Sequence, residues 1–186
     1  MKLLNFGSLN IDYVYDMPHF VQGGETATAT ARHVYAGGKG LNQSIAAARA
    51  GAQVLHAGAI GPDGAFLTQL LEDAGADTSA LLQVQEASGH AMIQVTPEGQ
   101  NAIIVYGGAN HCLTEAYVQS VLRQAEPGGL VLLQNETSQT AQIIAQERLV
   151  SETAALNPDW VEWLMGFPKG WTDVSSGPPN RKESPA

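Results

Sequence analysis

The sequence holds a single cysteine, Cys112, among 186 residues. One cysteine excludes an intramolecular disulfide and any Cys-based zinc site, and the expected role of Cys112 is that of a small buried hydrophobe. Charge is also scarce: 15% of residues are Asp, Glu, Lys or Arg, against 44% apolar. That balance argues against disorder along the whole chain. Bases are the scarcer sign, nine Lys and Arg against eighteen Asp and Glu, for a net charge of -9. No basic stripe is available to follow a phosphate backbone, so a nucleic-acid partner is not expected. Apolar runs are short, far below the ~20 residues of a membrane span, and the run after Met1-Lys2 is too brief for a secretory signal. The expectation is an acidic, cytoplasmic protein with no membrane partner. A chain of this length can bury roughly 70% of the surface its unfolded form exposes, enough for a real core.

Tryptophan is absent from residues 1–145, which hold 17 of the 20 glycines but only four of the nine prolines. Trp160, Trp163 and Trp171 all follow, together with the other five prolines, and from Ser175 onward the chain is Ser, Gly, Pro and charge. Such a tail cannot build a core. We therefore expect one unit at 1–145, a foreign or junction segment at 146–174, and a disordered tail at 175–186.

Within the first unit, strand-like and helix-like segments alternate. Leu3–Leu9, Val54–Ile60 and Leu130–Leu133 read as buried strands. Asn42–Ala50, Asp63–Ala74 and Thr114–Gln124 read as helices, the second with Phe66, Leu67, Leu70 and Leu71 on one face. This order predicts an α/β fold with a parallel sheet. Tyr13–Tyr15 and Thr26–Tyr35 show period-two patterning, and His90–Thr96 and Asn101–Tyr106 flank a hairpin turn at Pro97–Gln100. These extra strands do not fit between crossover helices and predict a small β layer projecting from the sheet.

Few residues suggest chemistry. Gly37-Gly38-Lys39-Gly40 precedes a helix, where glycines admit a ligand to the backbone and unpaired N–H groups face an oxygen-rich group. It is neither a Walker A loop, since Gly40 rather than Ser or Thr follows Lys39, nor a dinucleotide fingerprint. Asn10 and Asp12 follow the first strand, near the strand ends where open α/β sheets bind ligands, and suit a polyhydroxylated molecule; Asn-x-Asp is equally a good turn. Asn42 just after the glycine turn and Glu136 after the strand Leu130–Leu133 complete the set. The five histidines lack metal-ligand spacing and read as structural or exposed.

In this order the pieces resemble the ribokinase-like, or PfkB, family of sugar and nucleoside kinases. Gly7-Ser8-Leu9-Asn10-Ile11-Asp12 is similar to its opening G-S-x-N-x-D, and Gly23-Gly24-Glu25-Thr26 to the G-E-T of its lid. Gly37 to Gly51 and on to Gly61 follows its N-terminal signature. Gly107-Gly108-Ala109-Asn110 and Leu132-Leu133-Gln134-Asn135-Glu136 match later landmarks, and the ribokinase branch is the most similar. The resemblance implies a three-layer parallel sheet with a β lid at about 13–36 and 89–106. It implies ATP-dependent phosphorylation of a sugar hydroxyl, on ribose or a related pentose or nucleoside. It also implies sugar contacts from Asn10, Asp12, Gly38, Lys39, Gly40, Asn42 and Glu136, and a homodimer through the lid strands.

The family's G-A-G-D, which carries its catalytic base, has no match here. Asp73-Ala74-Gly75-Ala76-Asp77 lies where the family has an ordinary helix-to-strand turn. The full-length family uses ATP and Mg with a monovalent cation; none of these is expected to bind well to this chain, which reads as the front half of a kinase with the C-terminal half missing, and as inactive alone. Leu156 to Thr172 resembles the C-terminal end of phage-type DNA methyltransferases, without their cofactor or catalytic motifs; a native amphipathic helix is the alternative. A non-catalytic sugar-binding or dimerising module is the competing function.

Overall fold

The computed structural model describes residues 2–125 and 129–138. The expected junction segment at 146–174 and the expected tail at 175–186 lie outside the described residues. In chain order the elements are β1 (Lys2–Phe6), β2 (Asn10–Asp16), β3 (Ala31–Gly37), α1 (Lys39–Arg49), β4 (Gln53–Ile60), α2 (Ala65–Asp73), β5 (Leu81–Gln83), β6 (Gly89–Val95), β7 (Asn101–Tyr106), a 3-10 turn Gly108–His111, α3 (Glu115–Leu122) and β8 (Leu130–Leu133).

β1 is buried along all but its first residue, as a strand between two layers must be. It lies at the centre of a parallel sheet of order β5-β4-β1-β8. Alternate side chains serve opposite cores. Leu3 and Val54 pack with Leu41 of α1 and Leu67 and Leu71 of α2, while Leu4, Phe6, Ala57 and Ala59 pack with Val118 and Val121 of α3. Helices on both faces make the expected three layers. Thr114 caps α3, its Oγ1 accepting from Tyr117 N–H at 3.3 Å, which satisfies one orphan donor of the first turn.

A second sheet of order β3-β2-β6-β7 forms the projecting β layer. β6 and β7 are the expected hairpin, closed by Thr96 N–H donating to Gln100 O at 3.0 Å. β2 is its hub, antiparallel to β3 and parallel to β6.

Several boundaries differ from the sequence reading. The first strand stops at Phe6 rather than Leu9, because Gly7-Ser8-Leu9 turn the chain out of the main sheet before β2 begins in the other. Asn10 and Asp12 therefore stand on the projecting sheet itself. Residues 26–30 alternate Thr and Ala but form no strand; Thr30 turns back, its N–H and Oγ1 both donating to Asp16 O at 2.8 and 3.1 Å. In α2 only Leu67 and Leu71 are buried, while Phe66 and Leu70 are each 38% exposed. β5, three residues long, is too short to leave a strand pattern in the sequence. Cys112 is half-buried rather than a core residue. Among the described residues no helix is long and apolar enough to cross a membrane.

Candidate functional site

The candidate residues gather where the two sheets meet. The chain crosses between them at Gly7-Ser8-Leu9 and again at Gly37-Gly38, and α1 starts immediately after the second crossing. Gly38 has φ +96°, a conformation that side chains with a Cβ rarely adopt. Its N–H and carbonyl neighbours are tightly set: Leu41 N–H donates to Ser8 O at 2.9 Å and Asn42 N–H to Gly38 O at 3.1 Å. Helix α1 thus begins at Lys39, three residues before the expected start, because the crossing itself organises its first turn.

Lys39 and Glu136 form an ion pair through Nζ and Oε1. Glu136 Oε2 accepts from Ser8 Oγ–H at 2.7 Å, and Ser8 N–H donates to Gln134 Oε1 at 3.3 Å. Burial pushes the Glu136 carboxyl up, but the hydrogen bonds from Lys39 and Ser8 outweigh it and hold it below its ordinary value. Glu136 is therefore an anchored carboxylate rather than the surface side chain its sequence context allowed.

Asp12 lies on β2, paired across the sheet with Tyr35 and Ala91. A Cβ on Gly37 would fall 2.3 Å from Asp12 Oδ2, so this glycine leaves the space the carboxylate occupies. Burial first, and then the charge of Glu136, raise the Asp12 carboxyl above its ordinary value. A nearby like charge disfavours the ionised form of Asp12. Asn10 is buried at the start of the same strand, its Oδ1 accepting from Asn110 Nδ2 at 2.8 Å. Asn42 is exposed on the first turn of α1, and no side-chain hydrogen bond joins it to the others.

The structure therefore links Gly40 and Glu136 through Ser8, pairs Lys39 with Glu136, packs Asp12 against Gly37, and leaves Asn42 exposed on α1. Ser8, Gln134 and Asn110 carry connections that sequence reading did not assign. Each lies inside a motif already singled out, but partners 100 or more residues away leave no local signal.

Beneath these crossings runs a buried polar chain. Asn5 Nδ2 donates to Gly40 O at 2.9 Å and to Ser44 Oγ at 2.8 Å, and Ser44 Oγ lies 2.7 Å from His56 Nδ1. Burial drives the His56 imidazole down to about 4, with a weaker opposing pull from the Gly7 carbonyl. The ring is neutral at physiological pH and acts as structure beneath the crossings.

The sequence and the fold both have relatives among known proteins. The family profile of pfkB family carbohydrate kinases matches residues 1–156. The chain belongs to this family. The pfkB match takes in every described residue. A ribokinase of Haemophilus influenzae is 39% identical over 134 residues, covering 70% of this chain and 44% of the relative; a ribokinase of Staphylococcus aureus is 37% identical over 163 residues, covering 84% and 54%. The crystal structure of ribokinase from Cryptococcus neoformans in complex with ADP superposes with a TM-score of 0.65 at 38% identity, covering 83% of this pfkB chain and 45% of that one. The chain thus spans about half the length of the curated relatives it matches.

Proposed function

We propose that these residues form the sugar-binding side of an enzyme that phosphorylates a hydroxyl of ribose, or of a related pentose, with ATP as donor. One observation carries this reading: Asp12, Lys39 and Glu136 come from a β layer, a helix start and a sheet-end turn to one junction, where Lys39 pairs with Glu136 and the Asp12 carboxylate packs against Gly37. Carboxylates and amides hold hydroxyl groups with defined geometry. In this role Asp12 accepts hydroxyl protons, Gly38 and Gly40 let the backbone approach the sugar, and Asn10, Asn42, Lys39 and Glu136 supply the remaining polar contacts. Relatives named ribokinase support the substrate class, as does an Arabidopsis thaliana ribokinase solved with ribose and ATP, 29% identical with a TM-score of 0.65. The projecting sheet serves as a lid that excludes water from the transferred phosphoryl group.

The roles above concern the sugar alone. The 186 residues contain no G-A-G-D. We accordingly propose that this chain binds pentose without transferring phosphoryl groups by itself.

A dimerising role is favoured by the lid surface. Val34, Tyr13, Met92 and Ile104 stand in register across one face, and Val34, Met92 and Ile104 are exposed. Light scattering tests it, a dimer being expected.

The functional reading is tested by titrating the purified chain with ribose while following ATP consumption in the same sample. Ribose binding without turnover is expected. Failure to bind any pentose overturns the substrate assignment, and sustained turnover overturns the division of labour.

A further inference from the structure

We infer that Asn110 is a positioning residue that dictates which end of the Asn10 amide faces the sugar. The inference rests on the sugar-binding reading above and adds to it a polarity that no motif reveals.

Asn110 is 1% exposed, in the 3-10 turn after β7. Its Oδ1 accepts from Leu9 N–H at 2.9 Å, and its Nδ2 donates to Leu9 O at 3.1 Å and to Asn10 Oδ1 at 2.8 Å. The orientation of an Asn amide is assigned from its hydrogen-bond network, and here the network leaves one solution. A backbone N–H can only donate, so the Asn110 atom facing Leu9 N is oxygen. A backbone carbonyl can only accept, so the Asn110 atom facing Leu9 O is nitrogen. That nitrogen also faces Asn10, so the Asn10 atom turned toward it is oxygen. The backbone of Leu9, acting through Asn110, sets the polarity of Asn10.

The consequence is chemical. Asn10 spends its acceptor inside the protein, and its Nδ2 makes no hydrogen bond among the described residues. It presents N–H donors, so the ligand atom it recognises must accept. Asp12, two residues along the same strand, offers only acceptors when ionised. A hydroxyl satisfies both, receiving from Asn10 and donating to Asp12, whereas an ammonium group in its place leaves Asn10 unanswered.

The packing leaves room for this arrangement and ties it to the rest of the site. A Cβ on Gly89 would fall 2.0 Å from Asn110 Nδ2 and 2.3 Å from Asn10 Oδ1. Ser138 N–H donates to Asn110 O at 3.2 Å, joining the same residue to the turn that carries Glu136.

Two measurements on the full chain test the inference. By NMR without ligand, the Asn110 side-chain amide protons should exchange with solvent more slowly than those of Asn10; equal rates or the reverse order overturn the inference. Ribose affinity is then measured for Asn110→Ala in the wild-type and Asn10→Ala backgrounds. Loss of an oriented hydrogen bond should weaken binding about tenfold in the first and have little effect in the second. An equal loss in both backgrounds is what a merely structural role gives, and it overturns the positioning role. If the wild-type chain fails to bind ribose, the sugar reading falls, and the exchange pattern alone decides the amide orientation.

Discussion

Gly7 and Gly40 meet backbone to backbone: a Cβ built on Gly40 would lie 2.3 Å from the Gly7 Cα and 2.4 Å from Ser8 N. This contact sets how closely the first turn of α1 approaches the crossing from β1 to β2. Neither partner is a flexible side chain, so neither can give way cheaply. Gly40→Ala is expected to cost about 1–3 kcal/mol, the range for overpacking a close-packed interior. Thermal unfolding of the variant checks it, and an unchanged midpoint would mean that the two segments are not in this contact.

The charge of Glu136, which raises the Asp12 carboxyl, gives a pH prediction. Burial and the Glu136 charge both raise the Asp12 carboxyl, burial more. Glu136→Gln removes the charge and keeps the burial. The Asp12 midpoint, read from its carboxyl carbon by NMR, should therefore move down while staying above the ordinary value. A midpoint that stays or rises contradicts the geometry.

His56 gives a second, with the opposite kind of group. Its folded value is about 4 against 6.5 for the unfolded chain, so between those pH values the unfolded state binds the extra proton. Stability contributed by keeping His56 neutral is complete above 6.5 and is lost as pH falls toward 4, on the order of 3 kcal/mol. Denaturant midpoints at the two ends, in wild type and His56→Gln, check it. The wild type should lose more stability on acidification, and equal losses would remove His56 as the source.

Much of the fold was legible because its signals are local. The apolar runs at Val54–Ile60 and Leu130–Leu133 and the Pro97–Gln100 turn carry their structure in neighbouring residues. The errors fall where a distant partner decides. Thr26 to Thr30 alternates as a strand should, but among the described residues no strand pairs with it, and Thr30 instead closes onto Asp16. Phe66 and Leu70 sit at helical spacing from Leu67 and Leu71, yet the sheet covers only the narrower stripe. The helix signal from Asn42 missed Lys39 because Gly-Lys-Gly has poor propensity, and the contact with Ser8 supplies what propensity lacks. At the site, glycines and acids were visible as types in motifs. The roles of Ser8 and Asn110 were not, since both depend on which backbone groups the fold brings to them.

The most direct test of the account is the affinity of the chain for ribose with and without the Asp12 carboxylate. At neutral pH Asp12 is read as the acceptor of sugar hydroxyl protons, and a hydrogen bond to a charged group is worth about 1.5–3 kcal/mol. Calorimetric titration should show that Asp12→Ala weakens ribose binding roughly ten- to a hundredfold. Ribose affinity left unchanged by Asp12→Ala would contradict the placement of the sugar at this junction.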